Sequence, residues 1–387
     1  MAAHRGAILL AFAAVASFYP VAAFVHLSPA RSGQALALLA ARHNPVLPSA
    51  SMSRPSSLSA LLRSGATQSL PFGQQRAGSL SSIIMHSTES GGGNLVGEDA
   101  ASFDLKEQSL KNWGIFTLLL VTVLGALFVA WINPATGLGD EYIQYLNEIV
   151  PGHSSEAVIA VLLTIFGVAH SGLASLRPWA EEVIGARAWR VIFALVSLPL
   201  ASSAIIYFIN HRYDGAQLWD LKLVPGAHEF VWIISFISFL FLYPSTFNLL
   251  EIAAVEKPKL HMWATGIMRI TRHPQMVGQG LWCAAHTLWM GNSFVLVASA
   301  FLMAHHLFGV WNGDRRLRDK YGDEVMEAFE EQTSVMPFAA IFQGRQVLPA
   351  DYWKEFARLP YVIITLGTIG AYLAHPFMQA GSWTLHW

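Results

Sequence analysis

Residues 274–313 read PQMVGQGLWCAAHTLWMGNSFVLVASAFLMAHHLFGVWNG, without one Asp, Glu, Lys or Arg. A stretch this apolar suits hydrocarbon, yet it is about twice the ~20 residues that a membrane-crossing helix needs. Gly291-Asn292-Ser293 in its middle is a turn signal. The stretch therefore predicts a tight helical hairpin, Gln275–Met290 and Ser293–Asn312.

Uncharged apolar runs of similar length recur on both sides, at Trp113–Ile132, Ala157–Leu176, Val191–Ile209, Phe230–Leu250 and Tyr361–Phe377. Together they predict an all-α, polytopic transmembrane helix bundle of about seven spans. Composition agrees. Charged residues make up 13% of the 387, about half the roughly 25% of soluble chains, and the mean hydropathy is +0.42. So little charge cannot cover a water-soluble fold of this size, and it excludes a disordered, coiled-coil or nucleic-acid-binding protein. Cys283 is the single cysteine, which excludes an intrachain disulfide framework or a Cys-rich metal site.

The distribution of basic residues tests this topology independently. With seven alternating spans, sixteen of the 24 Lys and Arg fall on one face, and only Arg212 and Lys222 on the other. Reading 274–313 as one helix would scramble that asymmetry. The other six are the arginines of the first 88 residues, a stretch with no Asp, Glu or Lys. Residues 1–23 pair Arg5 with an apolar core and small residues before Phe24, the layout of a secretory signal. Residues 24–95 have the Ser-, Ala- and Arg-rich composition of an organelle transit segment. The expectation is a two-part plastid leader, a mature domain over 103–387, and a basic face in the stroma together with the mature N-terminus.

Polar residues at membrane depth are functional candidates. His170, in Gly167-Val168-Ala169-His170-Ser171-Gly172, is flanked by small residues that would let a flat macrocycle approach; the alternative is a packing histidine bonded across helices. Cys283 and His286 are three apart, hence on one helical face and able to reach the same iron. Cys283 alone reads equally well as a small buried hydrophobe. His305 and His306 point to different faces, so at most one can face a pocket. Arg269, Arg272 and His273 precede Pro274 at a helix start, where two fixed cations can clamp a carboxylate or simply anchor the interface. The alternating charges of Asp314–Glu331 predict one solvated amphipathic helix.

Gly167–Arg177, Arg272-His273-Pro274-Gln275 and Trp282-Cys283-Ala284-Ala285-His286-Thr287-Leu288-Trp289, followed by Gly291-Asn292-Ser293 and His305-His306, resemble the NnrU-like family over essentially the whole mature domain. The resemblance implies a plastid membrane enzyme with haem b that isomerises the central 15-cis double bond of 9,15,9′-tri-cis-ζ-carotene to the 9,9′-di-cis product. It places iron ligation on His170 and His286, with Cys283 as a redox-dependent alternative. It also implies a hydrophobic carotenoid as substrate, the lipid bilayer as surroundings, and neighbouring carotenoid desaturases and an electron donor as partners. Arg269–Phe338 also resembles membrane methyltransferases of the isoprenylcysteine carboxyl type, which use S-adenosylmethionine. There Asn312-Gly313-Asp314-Arg315-Arg316 departs from the paired acids of that family, and methyl transfer leaves His170 unexplained. A non-enzymatic membrane haem protein is the third reading.

Overall fold

The structure is a computed structural model that describes residues 109–152, 154–242, 249–256 and 265–382. The expected leader segments, 1–23 and 24–95, lie outside the described residues. Among the described residues there is no β-strand, only an isolated bridge between Gln217 and Asn292. The all-α expectation holds. The principal helices are α1 (Leu110–Leu127, continued by a π turn to Ile132), α2 (Gly139–Ile149), α3 (Ser155–Ile184), α4 (Ala186–His211), α5 (Ala227–Leu242), α6 (Pro274–Met290), α7 (Ser293–Tyr321), α8 (Asp323–Gln332) and α9 (Leu359–Ser382).

Among the described residues five helical segments are long and apolar enough to cross a membrane: Leu110–Ile132, Ser155–Ile184, Ala186–His211, Ser293–Tyr321 and Tyr361–Gly381. α5 is apolar but shorter, ending at Leu242 where the sequence pattern runs on to Leu250. Residues 243–248 lie outside the described residues. α6 has 17 residues and starts on Pro274, whose missing N–H costs nothing in a first turn.

The hairpin forms at the expected turn. Gly291 takes the left-handed φ of +63° that ends α6. Asn292 then caps α7, its side-chain oxygen accepting the Val295 N–H at 2.9 Å while its amide donates to the Arg212 carbonyl at 2.8 Å. The Trp219 indole donates to the Leu288 carbonyl at 3.0 Å, so the 212–226 connection is tied to the same turn.

Neighbouring helices meet in the order α4, α3, α7, α6, α5, α9 and back to α4, with α1 against α4. The main core joins Val158, Ile159 and Leu162 of α3, Ile206 and Tyr207 of α4, and Phe294, Val295 and Leu302 of α7. Between α5 and α6 the approach is closer. A Cβ at Gly278 would lie 2.7 Å from the Ser238 carbonyl oxygen, so glycine is what lets these two backbones meet.

Three expectations need correction. α3 runs through Pro178 to Ile184, and a proline here ends nothing because packing against α4 holds the helix on both sides of it. Asp314–Glu331 is not one helix: Gly322, at φ +90°, breaks it into the end of α7 and α8, and Arg318 reaches across the break to Glu330 at 2.9 Å. The sequence reading assigns no helix between Ile132 and Ala157, whereas α2 buries Ile143 and Leu146 on one face and carries Asp140 and Glu141 in its first turn, where the helix dipole favours acids.

Candidate functional site

His170 is buried on α3 among rings. Phe166, one turn earlier on the same face, lies 5.2 Å away between centroids; Phe193 of α4 lies at 5.1 Å and His305 of α7 at 5.3 Å. His306 stands 5.7 Å from His305. Gly167 makes this gathering possible. A Cβ there would come within 3.2 Å of His305 Nδ1, so any side chain would press on that imidazole. The structure thus brings together His170, His305 and His306, drawn from two helices.

Cys283 and His286 occupy the adjoining level on α6. His286 stacks on Trp282 at 3.8 Å, and its Nδ1 lies 2.9 Å from the Trp282 carbonyl. A carbonyl only accepts, so Nδ1 carries the hydrogen and the neutral ring has its lone pair on Nε2, the tautomer a metal ligand needs. Cys283 is buried in the main core, with the Gln279 amide donating to its sulfur at 3.6 Å. Depth is read from α7: Thr287 meets Ser299 at 2.9 Å, and Ser299 precedes His305 by six residues, roughly 9 Å of helix rise. The Cys283–His286 pair and the His170 group are separate clusters at neighbouring depths.

The Arg269-Ile270-Thr271-Arg272-His273 segment is engaged elsewhere. Buried Arg269 grips Glu355, with Nη2 to Oε1 at 2.9 Å and Nε to Oε2 at 2.9 Å. Arg272 holds Asp314 at 3.1 Å, and His273 meets the other oxygen of the same carboxylate at 2.9 Å. These cations tie the start of α6 to α7 and to residues 352–355, and the structure does not bring them to the histidines. A third element of the site escapes sequence reasoning: His305 as the direct neighbour of His170. The signal that could have found it is Gly167, one turn from His170, since a glycine inside a spanning helix marks a close approach.

For haem, the donor chemistry fits. Imidazoles sit in aromatic, water-poor surroundings, one with its lone pair on Nε2, while the space beside Gly167 is taken by His305 and the His170 ring is closed in by Phe166, Phe193 and His305.

Apolar spanning helices packed around buried histidines define a polytopic helical membrane protein. Residues 158–381 match the NnrU protein family, and the chain belongs to that family. It is 60% identical over 306 residues to the 15-cis-zeta-carotene isomerase, chloroplastic, of Zea mays, covering 79% of this chain and 83% of the maize protein. It is 59% identical over 304 residues to the protein of the same name from Arabidopsis thaliana, covering 79% and 82%. No solved structure matches.

Proposed function

We propose that this chain is a plastid membrane isomerase that converts 9,15,9′-tri-cis-ζ-carotene to the 9,9′-di-cis isomer by rotation about the central 15-cis bond. The observation that carries the reading is identity near 60% to two isomerases across about four-fifths of the chain. The site is consistent with it. A carotene is a hydrocarbon and needs no polar recognition, and rings such as Phe208, tilted against Trp282 at 5.8 Å, offer an apolar wall. Isomerisation adds and removes no atoms, and the residues have to hold the polyene and shield it from water.

Haem b is the proposed cofactor. Bound, it would supply a Lewis-acidic or one-electron interaction that lowers the double-bond character of the polyene. His170 is the first proposed ligand. As a second residue that would hold the iron, the resemblance favours His286, with Cys283 as alternative, while the geometry adds His305 as a competitor. Neighbouring desaturases would supply and consume the carotene, and an electron donor would set the iron's oxidation state. The methyltransferase reading loses its anchor, because the arginines that would grip that cofactor are held by Glu355 and Asp314.

The direct test is expression of the chain in bacteria engineered to accumulate the tri-cis substrate, grown in darkness, with chromatography of the isomers. Conversion to the di-cis product is expected. Persistence of the tri-cis isomer at the level of cells without the gene would defeat the proposal.

The same cells test orientation. Arg187 and Lys222 are both exposed and fall on the basic-rich and basic-poor faces respectively. The native Cys283 is buried, so a single added cysteine reports cleanly. In intact spheroplasts, whose cytoplasm stands for the stroma, an impermeant maleimide should label Lys222→Cys and spare Arg187→Cys. The opposite pattern would invert the proposed topology.

A further inference from the structure

The connection between α8 and α9 carries more apolar surface than a water-facing loop needs. Met336, Phe338, Phe342, Val347 and Trp353 are all exposed on it, Phe342 at 84% and Trp353 at 66%. Phe377 of the spanning α9 stands at 73%, so the connection is as bare as a helix face that lipid covers. Phe338 and Phe342 share one face of the helical turn Ala339–Phe342, their rings 6.3 Å apart. α8, just before it in the chain, shows the opposite pattern. Its exposed side chains are Asp323, Glu324, Glu327 and Glu331, all acids that suit water.

The apolar turn is fastened in place. Phe338 sits at φ +64°, a left-handed backbone that bulky residues avoid, and its N–H donates to the Ile270 carbonyl at 2.9 Å. Ser334 braces the same turn, accepting the Ala340 N–H at 3.0 Å and donating to the Met336 carbonyl at 2.8 Å. The Thr271 hydroxyl donates to the Val335 carbonyl at 2.8 Å, and the Arg272 N–H to the Ser334 carbonyl at 2.9 Å. One end of the connection is thereby built on residues 270–272, immediately ahead of α6. The other runs through the turn Tyr352–Glu355 into α9. Two helix entries on the basic face thus fix its height.

Its neighbours say what covers it. The Lys354 ammonium lies 5.9 Å from the Trp353 ring, and the Arg358 guanidinium 5.3 Å from the ring of Tyr361, the first residue of the apolar span Tyr361–Gly381. Rings with long cations beside them, just ahead of a span, are the pattern of a membrane–water boundary, where the ring sits among headgroups and the cation reaches water. Arg345, the charge nearest the apolar turn in the chain, points back onto the end of α8, donating to the carbonyls of Glu330, Glu331 and Thr333 at 3.0, 2.7 and 2.8 Å. We propose that residues 336–353 form an interfacial lobe whose occupant is the bilayer itself. Phe338, Phe342, Val347 and Trp353 lie among the headgroups and upper acyl chains of the leaflet on the basic face. The lobe holds the entries of α6 and α9 at headgroup level. The proposal rests on α9 as a spanning helix and is independent of the haem reading.

The test uses the full chain in phosphatidylcholine nanodiscs, which leave both faces open to water, with an environment-sensitive fluorophore on one added cysteine. The native Cys283 is buried. Phe342→Cys and Trp353→Cys report on the lobe, Glu324→Cys on the solvated face of α8, and Leu366→Cys on the exposed side of α9. Each is quenched in parallel by aqueous iodide, by a lipid nitroxide near the glycerol backbone and by one near the acyl-chain end. Both lobe probes should be quenched severalfold more by the shallow nitroxide than the Glu324→Cys probe, and severalfold less by iodide. Val347→Cys replaces either lobe variant that does not fold. Lobe probes as open to iodide as Glu324→Cys would overturn the proposal, with the lobe facing water. Lobe probes shielded from iodide and from both nitroxides would overturn it too, the cover then being protein, from this chain or a second copy. A Leu366→Cys probe that the deep nitroxide leaves bright would remove α9 as a span and the lobe with it, whereas quenching there beside unquenched lobe probes would sink the lobe alone.

Discussion

Replacing His170 by alanine is expected to abolish the haem absorption band and to reduce dark isomerisation at least a hundredfold. Altering groups that merely support a metal ligand already costs 10–100-fold in affinity or activity, and loss of the ligand itself should cost more. The substitution also removes a buried ring from between Phe166, Phe193 and His305, so some loss of stability accompanies it. Ligation and packing are told apart by added imidazole, a small molecule that fits the space vacated. It should restore the Soret band and a measurable share of the isomerase activity in His170→Ala, an outcome that a purely structural role does not predict. A variant that folds and binds haem with an unaltered band would remove His170 from the ligand set. His286→Ala and His305→Ala, compared in the same spectra, then tell which of the two would also hold the iron. Whichever shifts or removes the Soret band identifies it.

The hairpin and the helix pattern were legible because hydrocarbon imposes a simple rule, about 20 uncharged apolar residues per crossing, and because Gly291 and Asn292 are residue types that end and start helices. Beyond the hydrocarbon the rule lapses. α7 continues past Asn312 because Asp314 finds Arg272 and His273, partners some forty residues earlier in the chain that no local pattern announces. The site was legible in depth but not in rotation. Hydropathy places a histidine along the membrane normal, and it leaves open which neighbour the ring faces. That is why the His170–His305 contact had to come from the structure, and why Arg177, Arg190 and Arg316 count in the sequence only among the basic residues of one face although all three are buried.

Arg269 shows the same limit in a form that can be measured. Its sequence neighbours suggest a clamp for a bound carboxylate; its partner in the fold is Glu355, 86 residues away and equally buried. That carboxylate also accepts the Gly266 N–H at 2.6 Å, while Tyr352, three residues before it, donates to the Gly266 carbonyl at 2.7 Å. The pair therefore fastens the entry to α6 onto the segment leading into α9. Glu355→Ala leaves a guanidinium buried without this carboxylate, and breaking such a pair from one side costs about 3–5 kcal/mol. A large drop in unfolding midpoint in detergent is expected. Arg269→Met/Glu355→Leu should recover much of the loss, since a well-packed apolar pair often equals a buried ionic one. Haem bound per folded molecule should stay at the wild-type level in the double variant, because Arg269 is held by Glu355 and serves the fold. Loss of haem from folded Arg269→Met/Glu355→Leu would give Arg269 a part in holding the cofactor, and a Glu355→Ala midpoint equal to wild type would show that the pair fastens nothing.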